Sequence, residues 1–294
     1  MSTSTADILV VGNLMIDVVV DMPGSLELGS DLPSEIHTTF GGTGGNVGAW
    51  AAVAGARPLV VGVVGADAWG EAFERQMQRL GALTALRKHE SLPTGMLVAL
   101  VHPDGERSML PDSRANSALS WGDFDEVDWN SFKWLYLSAY VLFDPAIRAV
   151  GERLLEAAAD HDVRVALDPA SAAPLRSIDP ALLRDWLSRC DLLLPNGPET
   201  DALASMGVWE SLLGSCPMIA AKRGAEGVDL HQRGRAVEHV PAAPAELVDT
   251  VGAGDAFAGG MLAALVAGAS PTDAAKAAVQ VAAKAVAIRG AQPL

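Results

Sequence analysis

The chain is short of cysteine, of aromatic residues, of positive charge and of long apolar runs. Only Cys190 and Cys216 occur in 294 residues, with no CxxC pair. That excludes a disulfide framework and fits a reducing compartment. Aromatic residues make up 5% of the chain. The tryptophans are scattered and read as packing rather than as a stacking platform. None of the five lysines precedes Ser or Thr, so GxxxxGK[ST] is absent, as are GxGxxG, HExxH and GxSxG. A P-loop, a dinucleotide fingerprint, a zincin site and a hydrolase elbow are thereby excluded as motif readings. The six histidines show no metal-ligand spacing.

Lys and Arg number 21 against 36 Asp and Glu, a net charge of −15. Such a surface repels phosphate backbones and argues against nucleic-acid or anionic-membrane partners. An anionic ligand has to be met locally, by backbone N–H groups, a few basic side chains or a metal. The most apolar stretch, Ala256 to Ala269, falls short of the ~20 residues of a membrane span. Met1 to Asp7 lacks the basic and apolar pattern of a signal peptide. The expectation is a soluble cytoplasmic protein.

What the chain does have is apolar material, 50% hydrophobic residues, arranged in alternating strand and helix patterns. Asp7–Val11, Leu59–Val64, Trp134–Ser138, Val163–Leu167, Leu192–Leu194 and Met218–Ala221 read as strands. Helices are expected over 44–56, 69–80, 145–160, 180–189, 198–206, 253–267 and 271–289. Gly81 reads as a helix stop. This alternation predicts an α/β fold with a mainly parallel sheet covered on both faces. Gly95 to Leu110 reads instead as a hairpin turning at Asp104-Gly105. Its first strand is apolar on both faces (Met96, Val98 and Leu100; Leu97, Ala99 and Val101), so both need cover. No linker divides the chain, so residues 1–294 are read as one main domain with an inserted appendage.

The chemistry concentrates in DTVGAGDAF, Asp249 to Phe257. Gly252 and Gly254 allow a sharp turn and close backbone approach. The helix that follows aims its free N–H groups and dipole at this loop, which makes an anion site. Asp255 lies in its first turn. A first-turn acid is by itself a common helix stabiliser. Beside an anion hole, though, a carboxylate can accept a hydroxyl proton while amides hold a transferring phosphoryl group.

DTVGAGDAF resembles the second signature of the ribokinase-like (PfkB) carbohydrate kinases, and GGTGGNVGA from Gly41 to Ala49 is similar to their first. NGPE, carrying Asn196 and Glu199, matches their NxxE element, and KRGAEG, carrying Lys222, Gly224 and Gly227, their KxGxxG element. Arg289-Gly290-Ala291 resembles the usual close of the family. The resemblance implies a Rossmann-like three-layer α/β/α domain with a small β-sheet lid from about residues 15–40 and 92–113. It implies ATP-dependent phosphorylation of a sugar-like hydroxyl, with Asp255 as base and Gly252, Ala253 and Gly254 leading into it as the anion hole.

The same resemblance gives Asn13, Asp17, Gly41, Gly42 and Asn46 substrate contacts. Each also has a plain reading, as strand-end acid, turn residue, hinge or cap. A carboxylate such as Asp17 suits a polyol, since it accepts hydrogen bonds from adjacent hydroxyls. Asn196, Lys222, Gly224 and Gly227 are implied ATP contacts. Glu199 is implied to organise Mg²⁺ through water, against a first-turn role after Pro198. Asp249 and the Val251 carbonyl correspond to a monovalent-cation (K⁺) site in some members. Arg107 and Arg114 are candidate lid-side contacts, Asp168 a strand-end ligand or cap, and Gln280 a candidate adenine reader. A homodimer joined through the lids is expected from the doubly apolar strand. The alternatives are a nucleoside kinase of the same family, for which Phe40 and Trp50 are the nearby aromatics, and a non-catalytic ligand-binding protein on the same fold.

Overall fold

The computed structural model describes residues 6–104 and 106–293. Met1–Thr5, most of the stretch read against a signal peptide, lie outside the described residues, as does Gly105 of the expected hairpin turn. The strands are β1 (Ile8–Val11), β2 (Met15–Asp21), β3 (Glu35–Gly41), β4 (Pro58–Gly65), β5 (Leu83–His89), β6 (Gly95–Val101), β7 (Arg107–Asp112), β8 (Trp134–Ser138), β9 (Arg164–Asp168), β10 (Leu192–Leu193), β11 (Met218–Lys222), β12 (Val228–Gln232) and β13 (Glu238–Val240). The helices are α1 (Thr43–Val53), α2 (Ala68–Arg79), α3 (Tyr140–Phe143), α4 (Arg148–Asp160), α5 (Ala172–Leu175), α6 (Pro180–Ser188), α7 (Gly197–Ser205), α8 (Trp209–Ser215), α9 (Ala253–Val266) and α10 (Pro271–Val286).

Nine strands form one sheet in the order β13-β12-β11-β10-β9-β8-β1-β4-β5, all running in one direction except β12. Its central strands are apolar on both faces because helices cover both. Ile8 and Val10 of β1 enter the core under α1, α2, α9 and α10, whereas Leu9 and Val11 enter the core under α4, α6, α7 and α8. One strand feeding two cores is the signature of the expected three-layer α/β/α architecture. Caps fix the helix starts: Asp67 accepts from the Gly70 N–H ahead of α2, and Ser270 from Asp273 ahead of α10.

A smaller sheet runs β3-β2-β6-β7. Its register puts Asp17 between Thr39 and Leu97, and Val18 between Thr38 and Val98. Alternation then sorts the residues. Asp17, Val19, Leu97, Ala99, Arg107 and Met109 share one face, which lines a cavity against the main domain. Val18, Val20, Val98, Leu100, Leu110 and Ile36 share the other.

Several elements depart from the sequence reading: the short helices α3, α5 and α8 are additional to it, and α10 ends at Val286. Edge strand β5 was not anticipated, because LTALRKH mixes charged and apolar residues, as edges do. Helix 145–160 begins only at Arg148, after Asp144 caps a turn through Ala146. Among the described residues no helix is long and apolar enough to cross a membrane.

Candidate active site

The site lies at the carboxyl ends of the strands, where Ser138, Asp168 and Lys222 close β8, β9 and β11. It is built on the start of α9. Gly252, its N-cap, takes a left-handed conformation with φ 75° and ψ 0°. A Cβ there would also come within 2.7 Å of the Cα and carbonyl oxygen of Ala291. Glycine is therefore required twice. The Gly254 and Asp255 N–H groups have no acceptor among the described residues. They leave free donors at the positive end of the helix dipole, at the place where the motif leads one to expect an anion site, whereas the Ala253 N–H donates to the Thr250 carbonyl at 3.3 Å.

Asp255 is brought to Asn46 by the contact of α9 with α1. A Cβ at Gly259 would lie 2.7 Å from the Ala51 nitrogen and 2.9 Å from the Val47 oxygen, so only glycine permits this approach. Asn46 then donates from Nδ2 to Asp255 Oδ2 at 2.7 Å. Its Oδ1 is buried with no partner. Desolvation raises the Asp255 carboxyl to about 7; the Asn46 bond acts against this, Asp168 and Asp17 add repulsion, and Lys222 opposes them. Asp255 can thus exchange a proton near neutrality.

Asp17 is buried, and desolvation raises it as well, to about 7. A Cβ at Gly41 would fall 2.2 Å from its Oδ2, so this glycine makes room for the carboxylate. Gly42 has φ 81° and packs on the Asn13 carbonyl, which accepts from the Gly44 N–H. Asn13 thus shapes the turn through its backbone. Asp17 looks into the cavity under the small sheet, ≈ 120 Å³ in volume, which Asp249, Val251 and Gly290 also line.

A second cleft, ≈ 540 Å³, is lined by Asn196, Gly197, Pro198, Lys222, Arg223, Gly224, Glu226 and Gly254. It meets the start of α9 at Gly254. Gly224 and Gly227 have φ 58° and 107°, and a Cβ at Gly227 would strike the Val240 oxygen at 2.1 Å. Asn196 and Glu199 form a capping box at α7: Oδ1 of Asn196 accepts from the Glu199 N–H, and Glu199 accepts from the Asn196 N–H and Nδ2. Glu199 is buried, and desolvation followed by the nearby Asp168 raises it to about 7.

Sequence reasoning did not pair Lys222 with Asp168. The Lys222 ammonium donates to Asp168 Oδ2 at 2.9 Å, and both side chains are largely buried. Burial alone would lower this lysine, but the attraction of Asp168 and Glu199 raises it. The pairing joins the ends of β11 and β9, two strands apart in the sheet, and no sequence spacing signals it. Asp168 Oδ1 also accepts from the Ala170 N–H, so its capping role is present too. The buried hydroxyls of Tyr136 and Ser138, unpartnered in β8, were likewise not singled out.

Arg107 reaches Asp249 and Thr250 beside the anion site, whereas Arg114 bonds Asp112 at the surface. Gln280 is exposed on α10 and lines neither cleft. Trp50 is buried and donates to the Ala291 oxygen, and Phe40 packs edge-on against Phe73. Both belong to the packing. Among the described residues no three His, Cys, Asp or Glu side chains are grouped as metal ligands.

The profile of pfkB family carbohydrate kinases matches residues 5–294. The chain belongs to this family. A deoxyribokinase of Salmonella typhi is 28% identical over 267 residues, covering 86% of this chain and 83% of its own. A probable sugar kinase from Rhizobium etli superposes with a TM-score of 0.88 at 22% identity, covering 99% of this chain and 96% of its own. An adenosine kinase from Sinorhizobium meliloti does so at 0.87 and 23%, covering 99% and 97%. The fold is the ribokinase-like one, and the chain is a carbohydrate or nucleoside kinase, a phosphotransferase.

Proposed function

We propose that the protein transfers the γ-phosphoryl group of ATP to a hydroxyl of a monosaccharide or a close sugar derivative, with Asp255 as general base. The observation that carries this reading is the position of Asp255. It is oriented by Asn46, stands beside two unpaired amides, and lies on a loop and helix start that border both clefts. The ≈ 540 Å³ cleft by Lys222 and Gly224 suits the nucleotide. The cavity under the small sheet suits the acceptor, with the Asp17 carboxylate accepting from its hydroxyls.

In the reaction, the acceptor hydroxyl gives its proton to Asp255 as its oxygen bonds to the γ-phosphorus, and the bond to the ADP oxygen breaks in line. The Gly254 and Asp255 N–H groups meet the charge on the phosphoryl oxygens. The Lys222 ammonium faces the same group, with Asp168 holding it in place. Asn196 and Glu199 are hard oxygen donors that suit Mg²⁺ held mainly by phosphate and water, with Glu199 behind the water shell. Bound there, Mg²⁺ would neutralise phosphate charge. The small sheet acts as the lid that excludes water from this transfer.

The acceptor cavity supports the sugar reading over the nucleoside one. At ≈ 120 Å³ it is well below the ~300–1,000 Å³ common for ligand sites. No Phe, Tyr or Trp lines it, and His37 is the one aromatic ring among its described lining residues. The outer face of the lid, with Ile36 and Leu110 exposed, forms the seat of a homodimer.

The test is ADP formation from ATP with ribose, 2-deoxyribose, fructose, 2-keto-3-deoxygluconate, adenosine and pseudouridine as acceptors. A sugar is expected to be turned over fastest. Faster turnover of a nucleoside overturns the size argument, and no ADP with any acceptor returns the protein to the non-catalytic reading.

A further inference from the structure

The monovalent-cation place implied at Asp249 is already filled by this chain. The Asp249 carboxylate has about four lone-pair positions. Oδ1 accepts from Arg107 Nη2 at 2.7 Å and from the Val251 N–H at 3.0 Å. Oδ2 accepts from the Gly290 N–H at 3.0 Å. Arg107 Nη1 donates to Thr250 Oγ1 at 2.8 Å as well. The Arg107 and Asp249 side chains are 24% and 14% exposed. A K⁺ ion at this carboxylate would face a fixed guanidinium across hydrogen-bond distance, and the two like charges repel. The residues present therefore do not fit the ion.

We infer that Arg107 is a built-in cation that replaces the metal ion at Asp249, and a positioning residue that ties the small sheet to the loop running into Gly252. The inference rests on reading residues 252–255 as the anion hole. Arg107 begins β7, the edge strand of the small sheet, and it bonds two residues just before the Gly252 N-cap. The sheet cannot swing away without stripping Asp249 of its charge partner. Asp249 in turn holds the Val251 amide at the start of the turn and the Gly290 amide, next to the Ala291 on which Gly252 packs. Closure of the sheet and ordering of the anion hole are one event. The acceptor cavity lies directly under this contact, bordered by both Arg107 and Asp249.

The experiment uses the full chain and its Arg107→Gln and Arg107→Lys variants, without any acceptor. Melting temperature is measured in KCl and in tetramethylammonium chloride at equal ionic strength, and amide hydrogen exchange is followed at Val251, Ala253 and Gly290, the hydrogen-bonded amides of this turn. The wild-type chain is expected to melt at the same temperature in both salts. Arg107→Gln is expected to exchange these amides about tenfold faster, the scale of a lost charge-assisted bond, and to gain a K⁺-specific rise in melting temperature. Arg107→Lys, which keeps the charge, is expected to stay indifferent to K⁺. A K⁺-specific stabilisation of the wild type overturns the inference. So does an Arg107→Gln variant that exchanges as slowly as wild type or that ignores K⁺. These readouts need no phosphoryl transfer, so they stand apart from failure of the kinase reading in the acceptor screen.

Discussion

Asn46 and Asp255 stand 209 positions apart and share one hydrogen bond of 2.7 Å, from amide to carboxylate. The bond exists because Gly259 lets α1 and α9 touch backbone to backbone. It opposes the burial that raises Asp255 to about 7. A base acts only when ionised, so kcat/KM is predicted to rise with pH through a midpoint near 7. In Asn46→Ala the opposing bond is gone, and the midpoint moves to higher pH. Turnover then falls more below the midpoint than above it. A pH–rate profile of the two proteins checks this.

Asp17 links function to stability. Burial raises its carboxyl from the 3.8 of a free aspartate to about 7 in the fold. Between these limits the folded chain keeps a proton that the unfolded chain has released. Its contribution to stability is therefore complete below 3.8, falls as pH rises, and is lost above about 7. Asp17→Asn removes that titration and is predicted to stabilise the protein by about 2–4 kcal/mol at mildly alkaline pH. The acceptor KM rises at least about tenfold, because a hydroxyl then meets an amide in place of a carboxylate. Denaturant unfolding and acceptor kinetics on the same variant measure both.

Lys222 and Asp168 form a buried pair, and breaking one side leaves the other charge unmatched. Lys222→Met alone is predicted to cost about 3–5 kcal/mol of stability. Adding Asp168→Asn recovers most of that loss. Turnover does not recover, because the ammonium that faces the phosphate is absent from both variants. Urea denaturation with steady-state kinetics on the three proteins separates the structural part from the catalytic part.

The lid predicts its own partner. Val18, Val98 and Leu100 share its outer face with the exposed Ile36 and Leu110. Light scattering is expected to give twice the chain mass. Ile36→Lys combined with Leu110→Lys is expected to halve it with little change in far-ultraviolet circular dichroism. A wild-type monomer at micromolar concentration contradicts the dimer.

Much of this was legible in the sequence, for identifiable reasons. The buried strands announce themselves as apolar runs such as Ile8–Val11, which have to be covered on both faces. The proposed anion site is local, since Gly252, Gly254 and Asp255 fall within one turn at the start of α9. The capping box of Asn196 and Glu199 also spans a single turn. Three relationships were out of reach. Lys222 meets Asp168, and Arg107 meets Asp249, only because the topology brings distant strand ends and loops together. Edge strand β5 lacks a clean alternation because Leu83 and Ala85 share a face with Arg87, and Leu86 shares the other with Lys88. Asn46 could be named from the resemblance, but its bond to Asp255 depends on the α1–α9 contact, which no spacing encodes.

The central claim is that Asp255 takes the proton from the acceptor. Its most direct test is the turnover of Asp255→Asn with the best acceptor, measured together with MgATP binding by calorimetry. Asparagine keeps the shape and the contact with Asn46 but takes up no proton. The account predicts a fall in kcat of about 10²–10⁴, with nucleotide affinity changed no more than a few-fold. Turnover close to wild type in that variant would contradict it.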